Sequence, residues 1–209
     1  MSRHLTEEAV EAFRTRLCQV AARRFAELGY AGVTLRALAD ELGCSRTRPY
    51  SYFKDKADIL GTVRTEGFRR LADAQEAAAR AEPEPLRRLE AVGRAYLRFA
   101  AEEPDNYRLM FEVPEKLSPT PSAEQLAEVR RSQRPLFEAV RAAVKDGLLQ
   151  GNPTTLTHLL WAALHGVVSL HLADKLTSGR TFEQLSREML KLLSSLVRSE
   201  SSSQPTEGS

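Results

Sequence analysis

Cysteine is nearly absent from this chain. Cys18 and Cys44 are its only two, too few for a disulfide framework, and no cluster of Cys and His has zinc-ligand spacing. Long apolar runs are missing as well. The longest, Leu159–Ala173, contains His165 and His171 and falls short of the ~20 residues that span a bilayer. The opening MSRHLTEEAVEAF has acidic residues where a secretory signal would be basic and then apolar. These absences lead us to expect a reduced, cytoplasmic protein with no membrane partner. Charge of one sign is not in excess either: 30 Lys and Arg against 28 Asp and Glu leave +2, so there is no polyelectrolyte tail, although an even total can conceal a local basic patch. No nucleophile–base pair, paired carboxylate, phosphate-cradling glycine loop or metal cluster occurs at a telling spacing. The chain is therefore expected not to be an enzyme and to carry no cofactor or metal.

What is there is helical periodicity. With 209 residues, 42% hydrophobic and 28% charged, the chain has room for one substantial domain or two small ones. Val10, Phe13, Leu17, Val20, Phe25 and Leu28 recur at steps of three to five, an apolar stripe on a first helix that Thr6 starts and Gly29 is placed to end. A short helix fits Leu35–Leu42 between Thr34 and Gly43, and a third is expected from after Ser45 to about Lys54. Asp55 then caps a long helix fading near Ala81. Pro85 and Pro104 each suit a helix first turn, while Pro114–Pro121 holds three prolines and is expected to be a loop. Ser122 with Gln125, and Thr181 with Gln184, have capping-box spacing, and Asn152–Pro153 starts the most apolar helix, ending near Lys175. Pro135 is expected to bend the helix after Ser122. The expected fold is all-α, about nine helices. It comprises a three-helix helix-turn-helix domain (1–54), a helical ligand-binding and dimerisation domain (55–198) joined to it by a long helix, and a disordered Ser-rich tail (199–209).

The stretch Thr34–Lys56, TLRALADELGCSRTRPYSYFKDK, carries the chemistry. Two short helices around a Gly-containing turn make a helix-turn-helix. Cys44, Pro49 and Phe53 fall on the inward side of the second helix, leaving Arg46, Thr47, Arg48, Tyr50, Ser51 and Tyr52 outward. Between Cys44 and Lys56 the charges Arg46, Arg48, Lys54 and Lys56 against Asp55 give a local +3. Guanidinium forks, hydroxyls and phenol tips all hydrogen-bond base edges or phosphate oxygens. A basic helix face is equally consistent with plain solvation, so periodicity and charge alone leave both readings open.

The run Phe25–Leu60 closely resembles the DNA-binding domain of the TetR family of transcriptional regulators. The matching positions are Phe25, Gly29, Tyr30, Thr34, Leu38, Ala39, Gly43, Cys44, Ser45, Tyr50, Tyr52, Phe53, Lys56 and Leu60. The resemblance implies that the third helix enters the major groove. It also implies that Tyr50, Tyr52, Thr34 and Lys56 reach phosphates, and that Arg36 sits where the family often contacts the duplex. Two departures stand out: Thr47 replaces the usual Gly, and Pro49 an apolar residue such as Leu. Pro49 keeps the inward site apolar but lacks the N–H that would bond back toward Ser45, so the first turn is expected to be distorted or late. With Arg46 and Arg48 flanking it, a preference for G-containing half-sites is expected. The DNA-binding set is thus Thr34, Arg36, Ser45, Arg46, Thr47, Arg48, Tyr50, Ser51, Tyr52 and Lys56.

The second half resembles the family's ligand-binding domain more loosely. Leu160–Leu170, LWAALHGVVSL, resembles a Trp–x–x–x–His–Gly feature of one branch, as does PDNYRLMF over Pro104–Phe111. The resemblance implies a homodimer through the last two long helices, with a pocket between the others acting as a switch. Candidate pocket residues are Tyr96, Phe99, Tyr107, Phe111, Phe137, Trp161 and His165, suited to an apolar or aromatic small-molecule effector. The function expected is a ligand-responsive regulator, a repressor that binds a palindromic double-stranded DNA operator as a dimer. The alternative is a helical ligand-binding or interaction protein without sequence-specific DNA binding. Both cysteines are expected to be packed, inert thiols.

Overall fold

The first helix begins where a side chain can replace a missing backbone partner. Thr6 Oγ1 accepts from the Ala9 N–H at 3.3 Å, and Glu7 and Glu8 follow in the first turn, where the helix dipole favours negative charge. The structure, a computed structural model, describes residues 6–113, 120–176 and 179–196. Among these are eight α-helices and one four-residue 3-10 turn, with no strand. The expected tail at 199–209 and most of the expected loop at Pro114–Pro121 lie outside the described residues. By compactness the chain divides into two units: Met1–Arg69 with Glu103–Val129, and Arg70–Glu102 with Arg130–Ser209.

In the first unit, α1 (Glu7–Gly32) is broken at Gly29, whose φ of 69° and ψ of 168° leave the helical region. The expected stop at Gly29 is therefore a break, with one more turn before Val33 turns extended. Helix α2 (Leu35–Glu41) is capped by Thr34, whose Oγ1 accepts from Ala37 N at 3.1 Å. It ends at Gly43, where φ is +64°. That left-handed residue lets Cys44 N reach Ala39 O at 3.0 Å and Gly43 N reach Asp40 O at 3.2 Å, closing the helix with the two bonds of a Schellman motif. Helix α3 (Lys56–Ala81) starts on Asp55, which accepts from Asp58 N at 2.9 Å, and passes into the second unit after Arg69. The core joins Leu17, Ala21, Phe25, Leu38, Phe53, Ile59, Leu60 and Val63 to Leu109 of α5 (Pro104–Phe111). Each such side chain is worth about 1.5–3 kcal/mol when fully buried, against about 0–1 kcal/mol for an exposed ion pair, so this core rather than the surface charges holds the unit together.

The second unit contains α4 (Pro85–Glu102), the later part of α6 (Ala123–Lys145), α7 (Pro153–Leu172) and α8 (Phe182–Leu196). Ser122 Oγ accepts from Gln125 N at 3.0 Å, and α6 continues through Pro135. Asn152 Oδ1 accepts from Thr155 N at 3.1 Å. The expected capping box of α8 is complete, with Gln184 N donating to Thr181 Oγ1 at 3.3 Å and Thr181 N to Gln184 Oε1 at 3.1 Å. Helix α7 stops before the expected Lys175 because Asp174 adopts φ 53°, which lets Lys175 N bond to Leu170 O at 2.9 Å. A short polar side chain tolerates this conformation where glycine is the usual occupant. Valines and alanines of α4, α6 and α7 (Val92, Ala139, Val140, Val168) are fully buried.

Helix α7 also corrects the expectation drawn from Leu159–Ala173. Counted from Pro153 it has 20 residues and is long and apolar enough, by length and composition, to cross a membrane. Yet Leu159 is 62% exposed, Leu170 47% and Trp161 38%. Leu159 and Leu170, with the half-buried Ala163 and Gly166 between them at steps of four, three and four, form an apolar face that the described residues leave partly exposed.

Candidate nucleic-acid interface

The expected reading helix from Ser45 to Lys54 is a single 3-10 turn, Arg48–Ser51. Pro49 is the physical reason. An α-helix here would need its N–H to reach Ser45 O, and proline has none. Ser45 O accepts instead from Arg48 N at 2.9 Å, Thr47 O from Tyr50 N at 3.2 Å, and Pro49 O from both Tyr52 N and Phe53 N at 3.0 Å. These are mostly the tighter bonds of a 3-10 turn. The inward side is as expected: Pro49 and Phe53 are buried and Cys44 is half-buried.

The outward face divides in two. Ser45, Arg46, Thr47, Tyr50 and Ser51 are exposed, as is Arg36 on α2, and Tyr50 most plainly at 60%. Ser45 Oγ and Thr47 Oγ1 are 3.3 Å apart, and Arg46 Nε is a long 3.5 Å from Asp40 Oδ1, an exposed contact too weak to immobilise it. Arg48 and Tyr52, expected outward, are half-buried. The Arg48 guanidinium lies 4.4 Å from the centroid of the Phe13 ring, and the Tyr52 ring packs 4.8 Å from the same ring. Lys56, expected at phosphate, donates to Tyr30 O at 2.8 Å with its ammonium 4.3 Å from the Tyr30 ring. Thr34 is exposed, and its hydroxyl oxygen accepts from Ala37 N in the cap while its O–H keeps a proton to donate.

Electrostatics brace the two helices behind this face. Glu41 accepts from Arg24 Nε at 2.7 Å and also pairs with Arg23, tying α2 to α1. The Arg24 hydrogen bond, first among the causes, holds the Glu41 carboxyl below its ordinary value. Burial pushes the Cys18 thiol up to about 12, which keeps it protonated near neutral pH. Phe13 and Arg14 are the site-supporting residues that sequence reasoning missed. Phe13 counted only as one step of the α1 core stripe, and no local signal marks a contact with a segment 38 residues on, as Arg14 makes with Tyr52.

The seven candidate pocket residues are divided between the two units. Tyr107 and Phe111 lie in the first unit, with ring centroids 4.8 Å apart and Phe68 against Phe111 at 5.5 Å. Tyr96, Phe99, Phe137, Trp161 and His165 lie in the second. There the buried Tyr96 hydroxyl is 3.3 Å from His165 Nδ1, Ser169 Oγ is 3.3 Å from His165 Nε2, and the Trp161 and His165 rings stack at 5.4 Å. Phe99 is buried and Phe137 half-buried. Among the described residues no group of three or more His, Cys, Asp or Glu is arranged to hold a metal ion.

Comparison with known proteins agrees with this architecture. Residues 17–63 match the family model described as bacterial regulatory proteins, tetR family, and residues 89–193 match the tetracyclin repressor-like C-terminal domain. The chain belongs to the TetR family of DNA-binding transcription regulators. Solved structures share the fold. A protein of unknown function from Rhodococcus sp. RHA1 is 23% identical over 93% of this chain and 97% of its own, with a TM-score of 0.76. The TetR family transcriptional regulator PfmR from Thermus thermophilus is 20% identical over 85% and 96%, with a TM-score of 0.69. AibR, solved in complex with isovaleryl coenzyme A and operator DNA, is 18% identical over 86% and 96%, with a TM-score of 0.67. No curated protein matches the sequence.

Proposed function

We propose that this chain is a ligand-responsive repressor of transcription in the cytoplasm, which binds a palindromic operator as a homodimer and is released by an apolar or aromatic small molecule. Residues 1–54 are its reading domain and 55–198 its effector and dimer domain. The observation that carries the proposal is the exposed set Arg36, Ser45, Arg46, Thr47, Tyr50 and Ser51, gathered on the α2 and 3-10 turn surface. Donors and phenol tips of this kind contact phosphate and base edges, and one copy covers too little base surface to be selective. Two copies held one duplex turn apart, about 34–36 Å, would read two half-sites. The apolar α7 face supplies a surface for that pairing, with α8 as the second helix. An added Cβ at Gly166 would meet nothing within 4 Å, so the face is open to close approach by a partner.

Coupling to an effector is supported by α5. Leu109 of α5 lies in the same core as Phe25, Leu38 and Phe53, and Arg64 Nη2 donates to Met110 O at 3.2 Å. In the proposed switch the effector signal reaches α5 along the chain that enters it from α4. The neighbour AibR, with its isovaleryl coenzyme A and operator DNA, offers a precedent for both ligands on this fold. In this reading Trp161, His165 and Gly166 lie on the effector side, with Tyr96 and Ser169 each 3.3 Å from a ring nitrogen of His165.

Selection of bound duplexes from random DNA by the purified chain tests this reading. A palindrome with half-sites about one turn apart is expected. The inward commitments of Arg48, Tyr52 and Lys56 favour one alternative, a helical ligand-binding or interaction protein that does not read sequence. Selection that enriches no sequence, or no salt-dependent retention on DNA at all, would favour it.

A further inference from the structure

A four-residue 3-10 turn is poorly equipped to hold its own shape, because the first turn fixes more backbone than its bonds repay. Here the shortfall is met from α1. Arg14 Nη1 donates to the Tyr52 carbonyl at 2.9 Å, at the C-terminal end of the turn, and its guanidinium lies 4.6 Å from the centroid of the buried Phe53 ring. Phe13, the preceding residue, takes the Tyr52 ring on one side and the Arg48 guanidinium at 4.4 Å. Both ends of the turn are thus gripped by two consecutive residues of α1. Arg14 is itself 3.8 Å from Glu11, an exposed contact that adds little.

We infer that Phe13 and Arg14 are positioning residues for the reading turn, and that Arg48 serves this clasp rather than a base edge. Base choice is then left to Arg46, Thr47, Tyr50 and Ser51. Arg48 is drawn toward the body of the unit by its stack on Phe13, whereas the Arg46 side chain is 58% exposed and held only by a 3.5 Å contact. The inference rests on the DNA-reading function proposed above and adds the division of labour within it.

The test begins with duplexes selected by the wild-type chain from a random-sequence pool. The same selection is then run with Phe13→Leu, Arg14→Gln, Arg14→Lys, Arg48→Ala and Arg46→Ala. Affinity is measured on the selected duplex and on a scrambled one, together with hydrogen exchange of the amides at 50–53. Phe13→Leu and Arg48→Ala should each weaken the selected duplex by about two- to thirtyfold, the range a cation–π contact supports. Both should recover the wild-type sequence, and together they should cost little more than either alone. Both Arg14 variants should speed exchange at 52 and 53, since lysine keeps the charge but not the fork. Arg46→Ala should lose discrimination at one base pair. If Arg48→Ala loses discrimination at one position while Phe13→Leu does not, Arg48 reads a base and the clasp assignment fails. Unchanged exchange in the Phe13 and Arg14 variants overturns it as well, while leaving DNA reading intact. A wild-type chain that enriches no sequence removes the DNA-reading function, and the inference with it.

Discussion

Two glycines that look alike in sequence should respond oppositely to alanine. Gly67 lies on α3 against α5, where an added Cβ would meet Met110 Sδ at 2.6 Å and Cγ at 3.1 Å. Clearing both atoms means turning the Met110 side chain about χ1, and that side chain is buried among its neighbours. Gly93 lies on α4, where the Cβ would meet Leu190 Cδ2 at 2.9 Å and Leu164 Cδ1 at 3.5 Å, both terminal methyls that rotate aside. Alanine in a helix interior is favoured over glycine by about 1 kcal/mol. Overpacking a rigid contact costs about 1–3 kcal/mol, and a displaced rotamer about 0.5–1.5 kcal/mol. Gly67→Ala should therefore be destabilised by about 1 kcal/mol net, while Gly93→Ala stays near neutral or gains slightly. In a chain of this length the two melting temperatures should differ by about 3–6 °C. Calorimetric or circular-dichroism melts of the two variants supply the measurement. Adding Met110→Ala should make the Gly67→Ala cost disappear, a coupling visible in a double-mutant cycle. If Gly67→Ala melts at or above the wild type, or below it by less than Gly93→Ala does, this account of the α3–α5 contact is wrong.

Arg46→Ala should lower operator affinity by about 1–3 kcal/mol and relax preference at one base pair; equal weakening on operator and scrambled DNA would deny it a base contact. Gly166→Glu should leave the melting temperature of the isolated chain near that of wild type, since its Cβ meets nothing within 4 Å, yet convert the assembly to monomer in sedimentation. An unaltered dimer would move the interface away from α7. Glu41 has its folded pKa held below the ordinary 4.5, so its contribution is complete above that value and is lost as pH falls through the lowered one. Glu41→Gln should accordingly be less stable at neutral pH, with the gap to wild type closing as pH falls from about 5 toward 3; a gap constant with pH would contradict the pairing. Iodoacetamide at about pH 8 should leave Cys18 unmodified in the folded chain, as peptide mass spectrometry would report.

Local chemistry was what the sequence made legible. Thr6, Thr34, Asp55, Asn152 and the Thr181–Gln184 pair all cap where their spacing said they would, because a cap is decided within four residues. The missing N–H of Pro49 was legible too, but not that it would reduce the whole reading helix to one 3-10 turn. That outcome depends on what the rest of the fold offers in exchange. The inward turn of Arg48 and Tyr52 was hidden for the same reason, since their partner Phe13 is remote in sequence and looks like any other step of an apolar stripe. Helical spacing says which face an aromatic candidate occupies but not which helix it meets. Tyr107 and Phe111 went with Phe68, and Tyr96 with His165. Asp174 ended α7 early at a place with no glycine to announce it.

The grip of α1 on the 3-10 turn bears on how new specificities could be made from this scaffold. Transplanting residues 45–53 into another regulator, or accepting such a segment from one, would carry the letters that face the groove without the hand that steadies them. A workable exchange would have to move Phe13 and Arg14 along with the turn, or choose a donor segment whose backbone is helical enough to stand unaided.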